Sequence, residues 1–237
     1  MFKKFLKLIS LLLILLILFI GYLSFFGIKT KSFNQLIEEK ISKSNKDVKA
    51  KFEYVKIFLD LSSFSTNIKT SNVALTYDDR NIQIKNISTN FSIGAFLKKE
   101  FGIKNTSIEL KDNNLKDVIS FLRVYKNSPQ LTIINKMLKK GSISSKIELS
   151  FNENGKLSDN YKFKGLIEGA EIRLLNKEII SNIDFNFDVQ DKIYLIEKAK
   201  IQYKEMKFLS NGIKISDKKK YFLIEGNINN QATNLDS

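Results

Sequence analysis

Apolar residues recur at every second position over much of this chain, and that period decides the fold class. Ile183, Phe185, Phe187 and Val189 alternate with polar residues without interruption. Side chains at this spacing share one face of a β-strand and cannot share one face of a helix. Similar runs are Val73, Leu75, Tyr77; Ile82, Ile84; Ile87, Phe91, Ile93; and Ile108, Leu110. Later ones are Ile143, Ile147, Leu149, Phe151; Tyr161, Phe163, Ile167; Ile172, Leu174; Ile193, Leu195; Ala199, Ile201, Tyr203; and Phe222, Ile224, Ile228. Asp78-Asp79-Arg80-Asn81 and Asn152-Glu153-Asn154-Gly155 read as turns between runs. Phe52 and Tyr54 alternate in one phase and Val55, Ile57 and Leu59 in the other, which predicts a bulge or bend. Short turns without strand–helix–strand alternation predict a mainly β chain with antiparallel pairing. The apolar face must be covered by a second sheet or by helices, or be reserved for an apolar ligand. A sandwich, a closed barrel and an open curved gutter all satisfy this.

Two stretches of the body carry helical spacing instead. Phe33, Leu36, Ile37 and Ile41 form one stripe, and Ser32 with Gln35 fits a capping box at its start. Leu115, Val118, Ile119 and Leu122 form a second, with Asn113 or Asn114 as N-cap. After the single proline, Pro129, a third helix carries Leu131, Ile134, Met137 and Leu138, and Lys139-Lys140-Gly141 suits its C-terminus.

At the start of the chain the pattern is different again. Residues 8–28 read LISLLLILLILFIGYLSFFGI, with no charge. About 20 apolar residues cross a bilayer core as a helix, so Leu8, Leu12, Leu16, Phe19 and Ile28 are expected in a membrane anchor. A cleaved signal peptide has a shorter apolar core and a small-x-small site, and Tyr22, Leu23, Ser24, Phe25 and Phe26 offer none. Lys3, Lys4 and Lys7 precede the run, which favours a cytoplasmic N-terminus and places the bulk of the chain beyond the membrane.

The organisation expected is therefore a tail and anchor over residues 1–31, an amphipathic helix over 32–47, and a β segment over 48–112. A small helical insert over 113–141 and a second β segment over 142–237 complete it.

Composition narrows the chemistry. His, Cys and Trp are absent, which removes disulfides, ordinary zinc, copper or haem sites, and His- or Cys-based catalysis. No cofactor or metal is expected. Adjacent acids such as Asp78 and Asp79, or Glu38 and Glu39, specify no cleft between two carboxylates, and no enzymatic activity is expected. The net charge is +14, from 39 Lys+Arg against 25 Asp+Glu. It fits an anionic partner, or the codon usage that makes a chain rich in Lys, Asn and Ile together. The lysines are scattered among acids, and the densest cluster, Lys218-Lys219-Lys220, falls where a turn is expected. Nucleic acid is not an expected partner.

The order of features resembles the AsmA-like family of Gram-negative envelope proteins, the group that includes relatives of YhdP and TamB. The resemblance is carried by the anchor, the short helix after it, and the segment VKAKFEYVKIFLDL followed by LSSFSTNIKTSNVALTYDDRNIQIKNISTNFSIGAFLKKEFGIKNTSIEL. In it a strand, the bend SIGAFLKKEF and the strand IKNTSIEL succeed one another. The stretch over residues 141–189 is similar to the middle region of YhdP-like proteins. The resemblance implies a long antiparallel curved sheet, a β-groove or gutter with an apolar inner surface. It also implies an inner-membrane, single-pass protein with its bulk in the periplasm. The function implied is binding or conducting phospholipid between the inner and outer membranes, or aiding outer-membrane assembly. Family members are usually longer, so a fragment or short homologue is implied.

On this reading Ile57, Leu59, Val73, Leu75, Ile147, Leu149, Phe151, Phe185, Phe187 and Val189 are the candidate groove lining, with phospholipid or another acyl lipid as ligand. Envelope assembly proteins are the further expected partners. The alternatives are an anchored β-jellyroll component of lipopolysaccharide transport, and an envelope scaffold with no lipid cargo. In a closed core the same side chains would simply pack against each other.

Overall fold

The computed structural model describes residues 2–44, 46–63, 65–97, 102–125, 128–158, 160–174, 177–218 and 220–231. Part of the expected SIGAFLKKEF bend (98–101), Lys219 and the polar tail from 232 onward lie outside them. The chain begins with helix α1 (Phe2–Phe25), then β1 (Ile28–Thr30), α2 (Asn34–Ser44), β2 (Val48–Lys51) and β3 (Tyr54–Asp60). Next come β4 (Ser65–Tyr77), β5 (Arg80–Ser92), α3 (Ile93–Leu97), β6 (Ile103–Asn114), α4 (Leu115–Tyr125) and α5 (Pro129–Met137). The rest is strand: β7 (Leu138–Ser150), β8 (Lys162–Arg173), β9 (Ile179–Gln190), β10 (Ile193–Tyr203), β11 (Met206–Asp217), β12 (Phe222–Gly226) and β13 (Asn229–Gln231).

All thirteen strands belong to one open antiparallel sheet. Its order is β1-β3-β4-β5-β6-β7-β8-β9-β10-β11-β12, with β2 also on β4 and β13 also on β11. The sheet does not close: β1 pairs only with β3 and β12 only with β11. Consecutive strands are joined by tight turns where the sequence permits left-handed backbone. Asp78 and Asp79 have φ of 47° and 58°, between the paired residues Tyr77 and Arg80. Asp191 and Lys192 repeat this between Gln190 and Ile193. Two successive positive-φ residues match the right-handed twist of the flanking strands.

Bulges in mid-strand explain the slips in alternation. Asn72, Asp112, Gly169, Asn182 and Lys198 all have positive φ inside β4, β6, β8, β9 and β10. The ladders shift register beside Asp112, Gly169, Asn182 and, towards β9, Lys198, so the apolar side chains on either side stay on the same face. Phe163 and Ile167 thus share a face with Ala170 and Ile172, and Ile180 with Ile183 and Phe185. Repeated bulges also add twist and bend the sheet. The phase change after Tyr54 has a related cause: the chain leaves the ladder at Phe52 and Glu53, and β2 and β3 pair with successive parts of β4.

Helices cover only part of the apolar face. Leu115, Val118 and Ile119 of α4 are buried with Val73, Ile82, Ile84, Leu138 and Ile143 of the sheet. Ile37 and Ile41 of α2 pack against the same cluster. Asn114 caps α4, its Oδ1 accepting from the amides of Lys116 (2.9 Å) and Asp117 (3.3 Å). Ser128 caps α5 by accepting from Leu131 at 3.2 Å.

Three local expectations are corrected. Gln35 does not complete a capping box with Ser32; its amide donates forward to Glu39 at 3.1 Å, one turn on. Lys139, Lys140 and Gly141 are not a helix terminus: α5 ends at Met137 and these residues already pair with β8. Ile28 is not in the anchor helix. It is the first residue of β1 and pairs with Ile57, because Gly27, at φ 67°, turns the chain out of α1 against the Ile57 carbonyl and the Phe58 ring.

Candidate functional site

The anchor residues stand apart from the core. Leu8, Leu12, Leu16 and Phe19 are each more than half exposed on α1, whose segment Phe5–Phe25 is long and apolar enough to cross a membrane. The helix does not hang free at its other end. Ser24 of its last turn lies in one recess with Phe58, Leu59, Asp60 and Lys69.

The ten candidate lining residues divide by position in the sheet. Val73, at 1% exposure, is sealed beneath α4 and α2 and is core, not groove. Leu75 lies beside it, between Ala50 and Ile82. The others are half-buried, with no helix fully over them. Ile57 faces Ile68, Ile147 lies between Ile108 and Phe163, and Val189 lies between Phe163 and Tyr194. Leu59 and Leu149 stand opposite Thr66 and Thr106, where the face becomes polar. Phe151 forms a lone bridge with Leu157. Phe185 and Phe187 meet edge to face at 6.3 Å, and Phe187 meets Phe163 at 4.7 Å.

Beyond this aromatic cluster the open face deepens into an apolar hollow of ≈ 360 Å³. Ile180, Ala199, Ile201, Phe208, Ile213 and Ile228 are among its walls, and no charged side chain lines it. Its size falls in the lower part of the range for small-molecule sites, about 300–1,000 Å³. Ser210 adds one polar atom. It is 5% exposed, and its hydroxyl has no hydrogen-bond partner among the described residues.

None of these walls was among the expected lining. Ala199 and Ile201 are recognisable as strand residues, but that they stand opposite Ser210 and Phe208 is a matter of the register between β10 and β11. The one available signal was the doubled apolar pair Phe208-Leu209, which breaks strict alternation in β11.

Charged groups lie outside the hollow. Glu109 accepts from Lys85 Nζ and Asn86 Nδ2, both at 2.6 Å. The Lys85 hydrogen bond holds the Glu109 carboxyl below its ordinary value against a smaller opposing effect of burial. Lys164 pairs with Asp188 at 2.7 Å, which pushes the Lys164 ammonium upward. Among the described residues no group of three or more metal-binding side chains comes together. What the arrangement offers chemically is apolar contact along a curved open face. Comparison with family models, curated proteins and solved structures finds no match for this chain.

Proposed function

We propose that this is a membrane-anchored lipid-binding protein of the AsmA-like type, whose open apolar face takes the acyl chain of a phospholipid from the membrane that holds α1. The hollow over β9, β10 and β11 carries this reading. Its inner walls Ile180 and Ile201 pack against the core, while the recess itself is charge-free and opens on an unclosed sheet. Each methylene moved out of water contributes about 0.8 kcal/mol, so roughly eight of them yield about 6 kcal/mol before the cost of association. Lys3, Lys4 and Lys7, in the first turns of α1 ahead of its apolar run, favour a cytoplasmic N-terminus; on this reading the sheet lies in the periplasm, with phospholipid moving toward the outer membrane or supporting its assembly. The protein binds and releases; no turnover is assigned to it.

The test is titration of delipidated full-length protein with a fluorescent phospholipid, with photocrosslinking residues at Ile201 and Phe208. Saturable binding and lipid adducts at both positions are expected. No binding, no adducts and no co-purifying lipid would make the protein an envelope scaffold without cargo.

A further inference from the structure

Three lysines stand side by side at the foot of the anchor. Lys29 of β1 is directly opposite Lys56 of β3, and Lys56 is directly opposite Lys69 of β4. Like charges facing each other across a ladder destabilise a sheet. Here three in a row are retained without a close ion-pair partner. None is ion-paired among the described residues. The nearest acids form no ion pair with them: Asp60 accepts from the Ser62 and Ser63 hydroxyls at 2.7 Å each, Glu53 from Asn72 at 2.9 Å, and Glu109 from Lys85 and Asn86, with Lys69 acting on Glu109 only as a smaller, longer-range charge. Two of the ammonium groups rest on aromatic rings instead, Lys29 over Tyr54 at 4.7 Å and Lys56 over Phe58 at 4.3 Å.

The position of the row names its partner. Lys29 is four residues past the end of α1 at Phe25, at most about 14 Å of chain. Register holds Lys56 and Lys69 at the same level, one and two strand spacings away (about 4.8 Å each). The headgroup layer extends roughly 5–8 Å beyond the hydrocarbon, and an exposed charge acts over about 8 Å at physiological salt. The stacked rings of Tyr22 and Phe26 lie at the same boundary. We infer that Lys29, Lys56 and Lys69 form a docking surface for the anionic headgroups of the membrane in which α1 sits. The lipid phosphates supply the ion-pair partners that the three lysines do not find among the described residues, and they fix the sheet upright against the bilayer.

The inference rests on α1 spanning a membrane but not on any lipid cargo. Full-length protein is placed in nanodiscs of phosphatidylcholine alone or mixed with phosphatidylglycerol. Amine acylation is then followed by mass spectrometry. Lys29, Lys56 and Lys69 are expected to react several-fold more slowly in the mixed discs, with the protection lost at high salt and Lys177 and Lys204 unchanged. A Lys29→Gln/Lys56→Gln/Lys69→Gln variant should incorporate equally well, melt no lower than the parent, and co-purify with several-fold less phosphatidylglycerol. Equal acylation in both discs, or unchanged phosphatidylglycerol with the triple variant, overturns the proposal. Failure to enter discs at all is a separate result that would remove the anchor reading itself.

Discussion

Asn113 takes the place of a backbone partner for Gln83: its Oδ1 accepts from the Gln83 amide at 2.6 Å and its Nδ2 donates to the Gln83 carbonyl at 2.8 Å. The Asp112 bulge carries β6 out of register after Leu110, and this side chain continues the ladder to β5 where the main chain no longer can. Asn113 is 3% exposed. Asn113→Ala breaks both bonds in a buried setting and should cost about 2–3 kcal/mol. Asn114→Ala, one residue on, removes only a helix cap and should cost about 1 kcal/mol. Urea unfolding of the two variants gives the comparison.

Two glycines in β8 make a second pair. A Cβ on Gly165 would strike the Ser144 carbonyl and come within 2.6 Å of the Phe187 ring, whereas a Cβ on Gly169 meets nothing within 4 Å. Gly165→Ala should therefore cost about 3 kcal/mol, the upper end for overpacking. Gly169→Ala carries only the strain of φ +58°, about 1 kcal/mol. Reversal of that order in denaturant midpoints would contradict the packing of Phe187 over Gly165 of β8.

The lipid-binding reading separates two further variants. Ala199→Phe puts a ring into the hollow and should lower phospholipid uptake several-fold with little change in melting temperature. Phe187→Glu places a carboxylate in a half-buried aromatic cluster. It should leave a folded protein, destabilised by about 1–3 kcal/mol, with weakened lipid binding. Complete unfolding of Phe187→Glu would show that this part of the face is closed.

Acid titration should report on Glu109. Its pKa is depressed in the folded state, chiefly by the Lys85 hydrogen bond. Its contribution is therefore present above the unfolded glutamate value and lost as pH falls through the folded one. Glu109→Gln should flatten the acid limb of the stability–pH curve. The effect should be under about 1 kcal/mol because the pair is partly exposed. Chemical denaturation across that limb measures it.

The β class and the helical insert are readable from periodicity, because burial on one face imposes it directly, and the apolar N-terminal helix from an unbroken apolar run. Ile183 to Val189 announce β9, and residues Leu115 to Ile119 announce α4. The covering of Val73 was not readable, since it depends on where α4 and α2 come to rest. Ile28 looked like anchor because an apolar run does not show where backbone pairing begins; Gly27 was the only local sign. The hollow was hidden for a third reason. Its walls come from the register between β10 and β11, and register is a relation between strands that no single strand encodes.

The meander itself shapes how this protein comes apart. Because nearly every strand is hydrogen-bonded only to its neighbours in sequence, the sheet behaves as a one-dimensional array in which stability is close to a sum of adjacent couplings. Such an array opens from an end. The end at β12 is the weaker one: Phe222 and Ile224 are about two-thirds exposed and no helix lies across them. Amide exchange should therefore fall steadily from β12 back to β7, where α4 clamps the sheet. The hollow lies within the frayable part, so the same opening that loosens the edge would also widen the recess.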